Sequence, residues 1–488
     1  MKYVKVALLL PAYMGSNHSL FLGIGYLTSM LKSEGHEVKV IDEDALYWIY
    51  KCKKYPQPLM QAEKRVIAEL QNFMPDIICE MINTTNYNNA LRMLGYIKNN
   101  FPQTYIVVGG PHISTSYDSF HRWHSDVYDA AIIGEGESSL THLCYNIGFG
   151  INGTIPGVRI SQNPDAYIAR DLVEIDSLPF PDRNAFFEIY DTIEKKLAKS
   201  NYERVFYAKL PGFSSGFARV VASRGCYNSC KFCSPGQYWK NPRNGLPCRR
   251  VRSAKNVVEE IEVLLSENVR AIYFDDPTFP IKSNMKFFSE FEYLIKDRRL
   301  SFFWGAPICS NEVDTGLLDR LQKIGFTYTY FGLESYNIKH LNDFNKIQDI
   351  ENCLTLIQEC NKRGIHCDAS YQVGLPNDDD DDIKRSIDWI FNKAIEKNVF
   401  FSISAIWPAT ELACEYNVLG DCYEPNFDKN MFQERTGLYY YEQGNEKLET
   451  FYSNCSGTYH FIPVEKALEI RSYIFQSGLR NRFEKEGL

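Results

Sequence analysis

The chain has 488 residues, of which 44% are hydrophobic and 23% charged, so it is a globular protein of about three domains. Its formal net charge of −8 argues against a general nucleic-acid binder, whose basic surface would show in the total. The 14 cysteines are scattered, unlike those of a small secreted disulfide scaffold, and no apolar run reaches the ~18 residues of a membrane span.

The first 150 residues alternate strand and helix patterns. The unbroken apolar run VKVALLL (4–10) predicts a strand buried on both faces, and no small-residue cleavage site of a signal peptide follows it. We therefore expect a cytoplasmic protein with reduced thiols. Further strands are predicted over 36–42, 76–82, 104–110 and 129–136. Five strands alternating with helices predict a doubly wound, Rossmann-like parallel sheet over residues 1–150, with its ligand at the carboxyl edge of the strands.

A second alternating series begins after a linker. Residues 151–200, which include LPFPDRNAF (178–186), have no regular period and predict that linker. Residues 201–410 predict a partial (β/α)6 barrel of the TIM type, whose active site would lie where the strands end. Its strands are predicted over 218–223, 270–274, 301–306, 327–333, 366–375 and 399–406. Residues 411–488 are aromatic-rich, and we expect a small C-terminal domain with a closing helix over 464–477.

Three cysteines stand within eight residues just after the first barrel strand, in SRGCYNSCKFCSPG (223–236). The spacing is C-x3-C-x2-C, and thiolates so close together on one loop can converge on a metal. Zinc would need a fourth ligand, for which Cys248 is the nearest thiol along the chain. A four-iron cluster can be held by three cysteines, which leaves one iron open to another ligand. Three ordinary buried cysteines are the remaining interpretation.

The motif and its surroundings resemble the radical S-adenosylmethionine (SAM) superfamily, and within it the branch with an N-terminal cobalamin-binding domain (class B methyltransferases). The resemblance covers roughly residues 1–410 and extends well beyond the cysteines. The matching segments, in order, are GGPHIS (109–114), IGEGESSL (133–140), LPFPDRNAF (178–186), YFDDPTF (273–279), FGLES (331–335), VGLPN (373–377) and WPAT (407–410).

The resemblance implies that Cys226, Cys230 and Cys233 bind three irons of a [4Fe-4S] cluster. The open iron would hold SAM, and an electron from the cluster would cleave it to a 5′-deoxyadenosyl radical. The implied SAM contacts are Phe232, Glu334, Ser335, Asp275, Gly374 and Pro408. The implied partners are a small-molecule substrate and an external electron donor of the flavodoxin or ferredoxin type, with no nucleic acid and no membrane.

The resemblance also implies cobalamin in the N-terminal domain. The implied contacts are Gly15, Ser16, Leu22, Gly25, Thr84, Thr85, Gly109, Gly110, Pro111, Gly134, Glu135 and Gly136. One feature departs from the pattern. Cobalamin domains of the methionine synthase type carry D-x-H-x-x-G after the first strand, and here the loop has His18 without the aspartate. An exposed loop histidine is the favoured interpretation of His18.

Two enzymatic functions agree with these motifs. The first is cobalamin-dependent methylation of an unactivated carbon in a small molecule or natural product. The second keeps the radical chemistry but transfers no methyl group, as in rearrangement, cyclisation, dehydration or epimerisation, with or without cobalamin. Cys309, which could return a hydrogen atom, and Asp276 are candidate catalytic residues. A non-catalytic cobalamin or zinc sensor agrees less well with the full set of barrel motifs.

Overall fold

The computed structural model describes residues 3–12, 20–84, 86–202, 210–213, 216–242, 244–374, 380–403, 407 and 410–415, with strand segments at 438–439, 450–451 and 480–481. The backbone forms two compact units. One is built mainly from the first 205 residues, and the other mainly from residues 206–418. Among the described helices, none combines the length and the apolar character needed to cross a bilayer.

The first unit contains a six-stranded sheet. Its strands are β1 (Lys5–Leu10), β2 (Glu37–Asp42), β3 (Ile77–Met81), β4 (Tyr105–Gly109), β5 (Ala130–Ile132) and β6 (Val158–Ile160). The order is β2-β1-β3-β4-β5-β6, and the pairs are parallel except β5–β6, which is antiparallel. The five predicted strands are therefore confirmed. The sixth was not predicted, because its three residues are too few to show a period.

Helices cover both faces of this sheet, which explains why β1 is buried along almost its whole length. The helices are α1 (Leu22–Ser33), α2 (Glu43–Cys52), α3 (Pro58–Phe73), α4 (Tyr87–Asn100), α5 (Pro111–His124), α6 (Glu137–Phe149) and α7 (Thr192–Tyr202). Short 3₁₀ turns at Ile175–Ser177 and Ala185–Phe187 lie between β6 and α7. Val6, Leu8 and Leu10 alternate onto one face and share a core with Ile24 and Leu140. The doubly wound arrangement places the strand ends, and the loops after them, at one edge.

The second unit contains a seven-stranded parallel sheet. The strands of this unit are β7 (Phe217–Val220), β8 (Ser223–Gly225), β9 (Arg249–Val251), β10 (Ala271–Phe274), β11 (Phe303–Pro307), β12 (Phe326–Glu334), β13 (His366–Val373), β14 (Val399–Ile403), β15 (Leu438–Tyr439), β16 (Thr450–Phe451) and β17 (Arg480–Asn481). The sheet order is β7-β10-β11-β12-β13-β14-β17. Strands β8 and β9 form a separate antiparallel pair, as do β15 and β16. The six strands predicted for the partial barrel are confirmed.

Helices separate the strands of the second unit. They are α8 (Ser234–Tyr238), α9 (Ala254–Ser266), α10 (Met285–Asp297), α11 (Thr315–Gln322), α12 (Ile338–Asp343), α13 (Ile350–Lys362), α14 (Asp380–Asn392) and α15 (Glu411–Glu415), with 3₁₀ turns at Lys282–Asn284 and Ser310–Glu312. Polar side chains cap several helix starts: Ser253, Asp314 and Asp349 each accept a hydrogen bond from the amide three residues later. The closing helix predicted over 464–477 lies outside the described residues.

The two faces of the barrel strands differ in chemistry. Residues such as Ile272, Trp304 and Phe331 point to the apolar core shared with the helices. Their neighbours along the strands point the other way, and this second face includes polar groups: Asp368 on β13 is fully buried and accepts a hydrogen bond from the Tyr328 hydroxyl at 3.0 Å. The inner face of these strands is therefore not uniformly apolar.

Candidate functional site

The three cysteines lie on the connection between β8 and β9. Cys226 directly follows Gly225, the last residue of β8. The amide of Cys233 donates to the carbonyl of Cys230 at 3.1 Å, and the amide of Asn228 donates to the Cys226 sulfur at 3.4 Å. The loop therefore turns back on itself and carries the three thiols on one compact segment.

Gly225 sets the start of this loop. Its φ of +88° is rarely adopted by other residues, and a Cβ built there would overlap the carbonyl oxygen of Cys248 and lie 3.0 Å from its carbonyl carbon. The two strands of the hairpin approach this closely because glycine has no side chain. Cys248, the fourth thiol considered for zinc, contributes its backbone to this approach.

Asp276 forms hydrogen bonds with the chain at the start of the β8–β9 hairpin. Its carboxylate accepts a hydrogen bond from the Ala222 amide at 3.0 Å and a second from the Ser223 hydroxyl. Burial raises the pKa of Asp276 to about 7, against the lowering effect of these two donors. Asp276 thus contacts the strand that leads into the cysteine loop, and a catalytic role for it stays a prediction.

Tyr227, between the first two cysteines, anchors the loop to the turn after β11. Its hydroxyl donates to Glu312 Oε1 at 2.5 Å. Glu312 is buried and also accepts from the amides of Ile281 at 3.1 Å and Ser283 at 2.9 Å. Burial alone would raise the pKa of Glu312, but the hydrogen bonds from Ser283 and Tyr227 lower it overall, so it remains a carboxylate. No sequence motif marks Glu312, so it was not among the predicted site residues.

Glu334 stands at the end of β12, in the segment FGLES. It adopts a φ of +63°, which is uncommon for a residue with a side chain and clusters at functional sites. Its Oε2 accepts from Gln372 Nε2 at 2.9 Å and from Ser370 Oγ at 3.2 Å, and its Oε1 lies 4.0 Å from the ammonium of Lys346. A Cβ built on Gly332 would overlap the Glu334 carboxylate, so this glycine makes room for it.

Burial and charge act in opposite directions on the cysteine thiols. Burial raises the pKa of Cys230 to about 11 and that of Cys233 to about 12, while the nearby charge of Lys346 lowers both. Buried thiolates therefore need a cation, and metal binding provides one by displacing the thiol protons. In the described part of the chain, no three His, Cys, Asp or Glu side chains converge on a single ion position. A four-iron cluster does not require this, since each thiolate binds its own iron.

The other SAM candidates have the following positions. Phe232 is partly buried and packs against Phe344 and Leu412. Ser335 is buried, and its hydroxyl accepts from the Asn337 amide at 3.0 Å. Asp275 pairs with Arg219, and Gly374 follows β13 with a φ of +73°. Pro408 lies outside the described residues. Glu334, Ser335, Asp275 and Gly374 all stand where strands of one parallel sheet end, and their contacts with SAM stay predictions.

The second catalytic candidate, Cys309, follows β11 near the loop. Its amide donates to the Thr278 hydroxyl at 2.9 Å, and its thiol is half-buried. A role in hydrogen-atom return stays a prediction.

Most of the glycines predicted to contact cobalamin have a reason within the fold. A Cβ on Gly110, whose φ is +103°, would lie 2.8 Å from the Ile82 carbonyl oxygen, and one on Gly134 would lie 2.5 Å from Arg170 Nε. A Cβ on Gly25 would lie 3.0 Å from the Pro181 side chain, and one on Gly136 would lie 3.2 Å from that of Leu27. Gly109 differs, because its nearest neighbour would be at an ordinary 3.7 Å. At the end of β4, therefore, a glycine stands where the packing would accommodate a side chain.

Glu135 and Thr84, two further cobalamin candidates, are already engaged. Glu135 Oε2 accepts from Arg170 Nη1 at 2.8 Å, and both side chains are buried. Thr84 Oγ1 and His112 Nδ1 share a hydrogen bond of 3.1 Å. Leu22 begins α1 and is buried, and Pro111 begins α5. Gly15, Ser16, His18 and Thr85 lie outside the described residues.

Comparison with known families assigns both units. The family described as B12 binding domain matches residues 20–144, and the radical SAM superfamily matches residues 220–390, which include all three cysteines and Glu334. The chain carries a radical SAM domain. A B12-binding domain precedes it in the chain, and this is the combination of domains that the resemblance of the motifs predicted.

Curated relatives and solved structures agree with this assignment. The radical SAM chain is 25% identical to the uncharacterized methyltransferase PH0819 of Pyrococcus horikoshii, over 84% of this chain and 83% of that protein. It is 27% identical to the anaerobic magnesium-protoporphyrin IX monomethyl ester cyclase of Rubrivivax gelatinosus, over 76% of this chain and 63% of that enzyme. The structure of the radical SAM methyltransferase TsrM from Kitasatospora setae, with cobalamin and a [4Fe-4S] cluster bound, shares the fold with a TM-score of 0.62. That match has 16% identity and covers 88% of this chain and 76% of that one.

The residues present fit the cofactors that the two domains of this radical SAM enzyme imply. A radical SAM domain uses a [4Fe-4S] cluster with SAM, and the soft donor set of Cys226, Cys230 and Cys233 suits that cluster. A B12-binding domain implies cobalamin, and the bare backbone at Gly109 lies at the sheet edge where such a domain binds its ligand.

Proposed function

We propose that this chain is a cobalamin-dependent radical SAM methyltransferase, which adds a methyl group to an unactivated carbon of a small-molecule substrate. One observation carries the proposal: a three-cysteine loop faced by Glu334 and Lys346 stands in the same chain as a B12-binding domain. When bound, the cluster supplies the electron that cleaves SAM, and cobalamin carries the methyl group. An external donor of the flavodoxin or ferredoxin type would provide the electron, and a cytoplasmic location stays a prediction.

Each residue of the site has a task in this proposal. The three thiolates would hold the cluster, and the contacts of Asp276 and Glu312 hold the loop that carries them. The Glu334 carboxylate, fixed by Gln372 and Ser370, would accept a hydrogen bond from the SAM ribose or amine. Preorganised groups of this kind act without reorganising during the reaction.

Anaerobic reconstitution tests the cluster. The protein is incubated with iron, sulfide and hydroxocobalamin, and its iron content and visible spectrum are recorded. We expect a brown protein whose iron and colour disappear in the combined variant Cys226→Ala, Cys230→Ala, Cys233→Ala. Cys248→Ser, in the same hairpin, is the matched control and should retain both. A colourless zinc protein, or loss of the metal in the control, would refute the assignment.

The products of SAM distinguish methylation from radical chemistry without methyl transfer. With SAM and a reductant, a methyltransferase of this class consumes SAM in two ways and releases both 5′-deoxyadenosine and S-adenosylhomocysteine. We expect both products, and retained corrin, from the reconstituted protein. The relative named as a cyclase makes the second outcome worth measuring. Formation of 5′-deoxyadenosine alone, by a protein that retains no corrin, would contradict methylation and favour a rearrangement or cyclisation.

A further inference from the structure

Lys346 is an inward-turned lysine that no motif of the sequence marks. It follows α12, and the chain reverses at Asn345, whose φ is +52°. The Lys346 amide donates to the Leu341 carbonyl at 2.8 Å, which fixes the reversal. The side chain of Lys346 is only 13% exposed, although that of its neighbour Ile347 is 74% exposed. Lysine is rarely buried in proteins and isoleucine often is, so the exposure of these two neighbours is the reverse of the usual one. The buried position of Lys346 therefore calls for an explanation.

The segment that carries Lys346 is docked on the cysteine loop. The amide of Lys231, which lies between Cys230 and Phe232, donates to the Phe344 carbonyl at 3.0 Å. The rings of Phe232 and Phe344 meet edge-on with their centroids 6.3 Å apart. These contacts place the segment that carries Lys346, two residues further on, against the cysteine loop.

The ammonium of Lys346 is close to anionic groups but bonded to none of them. Glu334 Oε1 is 4.0 Å away, which is beyond a hydrogen bond, and the side chain of Lys346 donates no hydrogen bond within the described part of the chain. Burial by itself would lower the pKa of Lys346, but Glu334 and then Cys230, Cys309 and Cys233 raise it overall. A charged ammonium with three donors thus stands 4.0 Å from the Glu334 carboxylate, on a segment that is hydrogen-bonded to the cysteine loop.

A fixed cation beside an iron–sulfur cluster favours its more negative state. The reduced cluster carries one more negative charge than the oxidised one, and the reduction potential depends on the net charge around it. Water screens little at a buried site, so a single charge has a large effect there. We propose that Lys346 is a positioning residue that holds the cysteine loop electrostatically and raises the reduction potential of its cluster. This inference rests on the proposed function, because it needs the cluster to be present.

The test is a redox titration of the reconstituted full-length protein without SAM, followed by electron paramagnetic resonance. In Lys346→Met we expect the ratio of reduced to oxidised cluster at one fixed potential to fall tenfold or more, which is a shift of about 59 mV or more to lower potential. Lys346→Arg keeps the charge and should stay within about threefold of the wild type. Lys339→Met, on the exposed side of α12, is the matched control and should leave the ratio unchanged.

A second variant has the opposite expected sign. Glu334→Gln removes a negative charge next to Lys346 and should raise the ratio of reduced to oxidised cluster. An unchanged potential in Lys346→Met with full iron content overturns the inference, as does a shift of both variants in the same direction. Loss of iron from Lys346→Met and from Lys346→Gln, together with an unchanged potential in Glu334→Gln, overturns it as well. A wild-type protein that binds no cluster would instead refute the proposed function.

Discussion

Replacing Gly225 with alanine tests whether the close approach of β8 and β9 presents the cysteine loop. The added Cβ would overlap the Cys248 carbonyl, so the hairpin must open on the order of an ångström to reach an ordinary C···O contact of about 3.3 Å. The hairpin has only three residue pairs, Ser223↔Val251, Arg224↔Arg250 and Gly225↔Arg249, and the last adjoins Cys226. The apolar core lies elsewhere, so we expect a local defect in the loop and not a loss of the fold.

The magnitude follows from comparison with Gly364→Ala. Gly364 also has a positive φ, +68°, but a Cβ there meets no atom within 4 Å. This control therefore carries only the backbone penalty of about 1–2 kcal/mol, which lowers the melting temperature by roughly 2–8 °C. Gly225→Ala carries the same penalty and the overlap in addition. We expect Gly364→Ala to bind full iron after anaerobic reconstitution, and Gly225→Ala to melt as a folded protein that has lost most of its iron. Full iron and a wild-type spectrum in Gly225→Ala would refute the reasoning.

Three further predictions follow from buried polar contacts. Tyr227→Phe removes the hydrogen bond to the Glu312 carboxylate, which is worth about 1.5–3 kcal/mol. A chelator should therefore extract iron from this variant at least about tenfold faster than from the wild type. An unchanged extraction rate would contradict the anchoring role of Tyr227. Arg252→Met leaves the fully buried Glu260 without its ion-pair partner and should lower the free energy of unfolding by about 3–5 kcal/mol, measured by thermal unfolding. The double variant Arg252→Met with Glu260→Leu should recover most of that loss. Equal losses in the single and double variants would argue against the pair. Glu80 is 1% exposed, neither of its oxygens has a hydrogen-bond partner in the described part of the chain, and burial, followed by the charge of Glu43, raises its pKa well above the usual value. A carboxyl group whose pKa is raised by folding stabilises the folded state only while it is protonated, so stability is lost as the pH rises above the unfolded pKa of about 4.3. We therefore expect Glu80→Gln to flatten the fall in melting temperature between about pH 5 and pH 8. The control Glu34→Gln, at an exposed position, should not change that fall.

The pH prediction has a second contributor. Burial also raises the pKa of Glu43, to about 7, although Arg92 and the Ala12 amide lower it. Its contribution to stability has the same sign as that of Glu80 and is lost as the pH rises through about 7. A melting temperature that rises with pH over this range would contradict both assignments.

The positions of the cobalamin candidates show how one residue pattern can serve two purposes. The glycines after β5 predicted a backbone that a ligand could approach closely. The structure gives another reason for Gly134, because the Arg170 guanidinium fills the space that a side chain there would need. Glu135 is paired with the same arginine. Gly109 lacks such a neighbour and is the better position for a test by substitution. A sequence cannot separate these cases, because Arg170 lies 35 residues beyond Glu135 and 36 beyond Gly134.

The sequence by itself determined the order of strands and helices, the two-part α/β architecture and the radical SAM assignment. Those features depend on local periods and on motifs of a few neighbouring residues, such as the three cysteines around Tyr227. The tertiary structure decided what surrounds the cysteine loop: Asp276 behind the hairpin, Glu312 beneath Tyr227, and Lys346 beside Glu334. These groups lie far apart along the chain and act through charge and hydrogen bonds, which reach only a few ångströms. Only the folded structure brings them close enough to one another to interact.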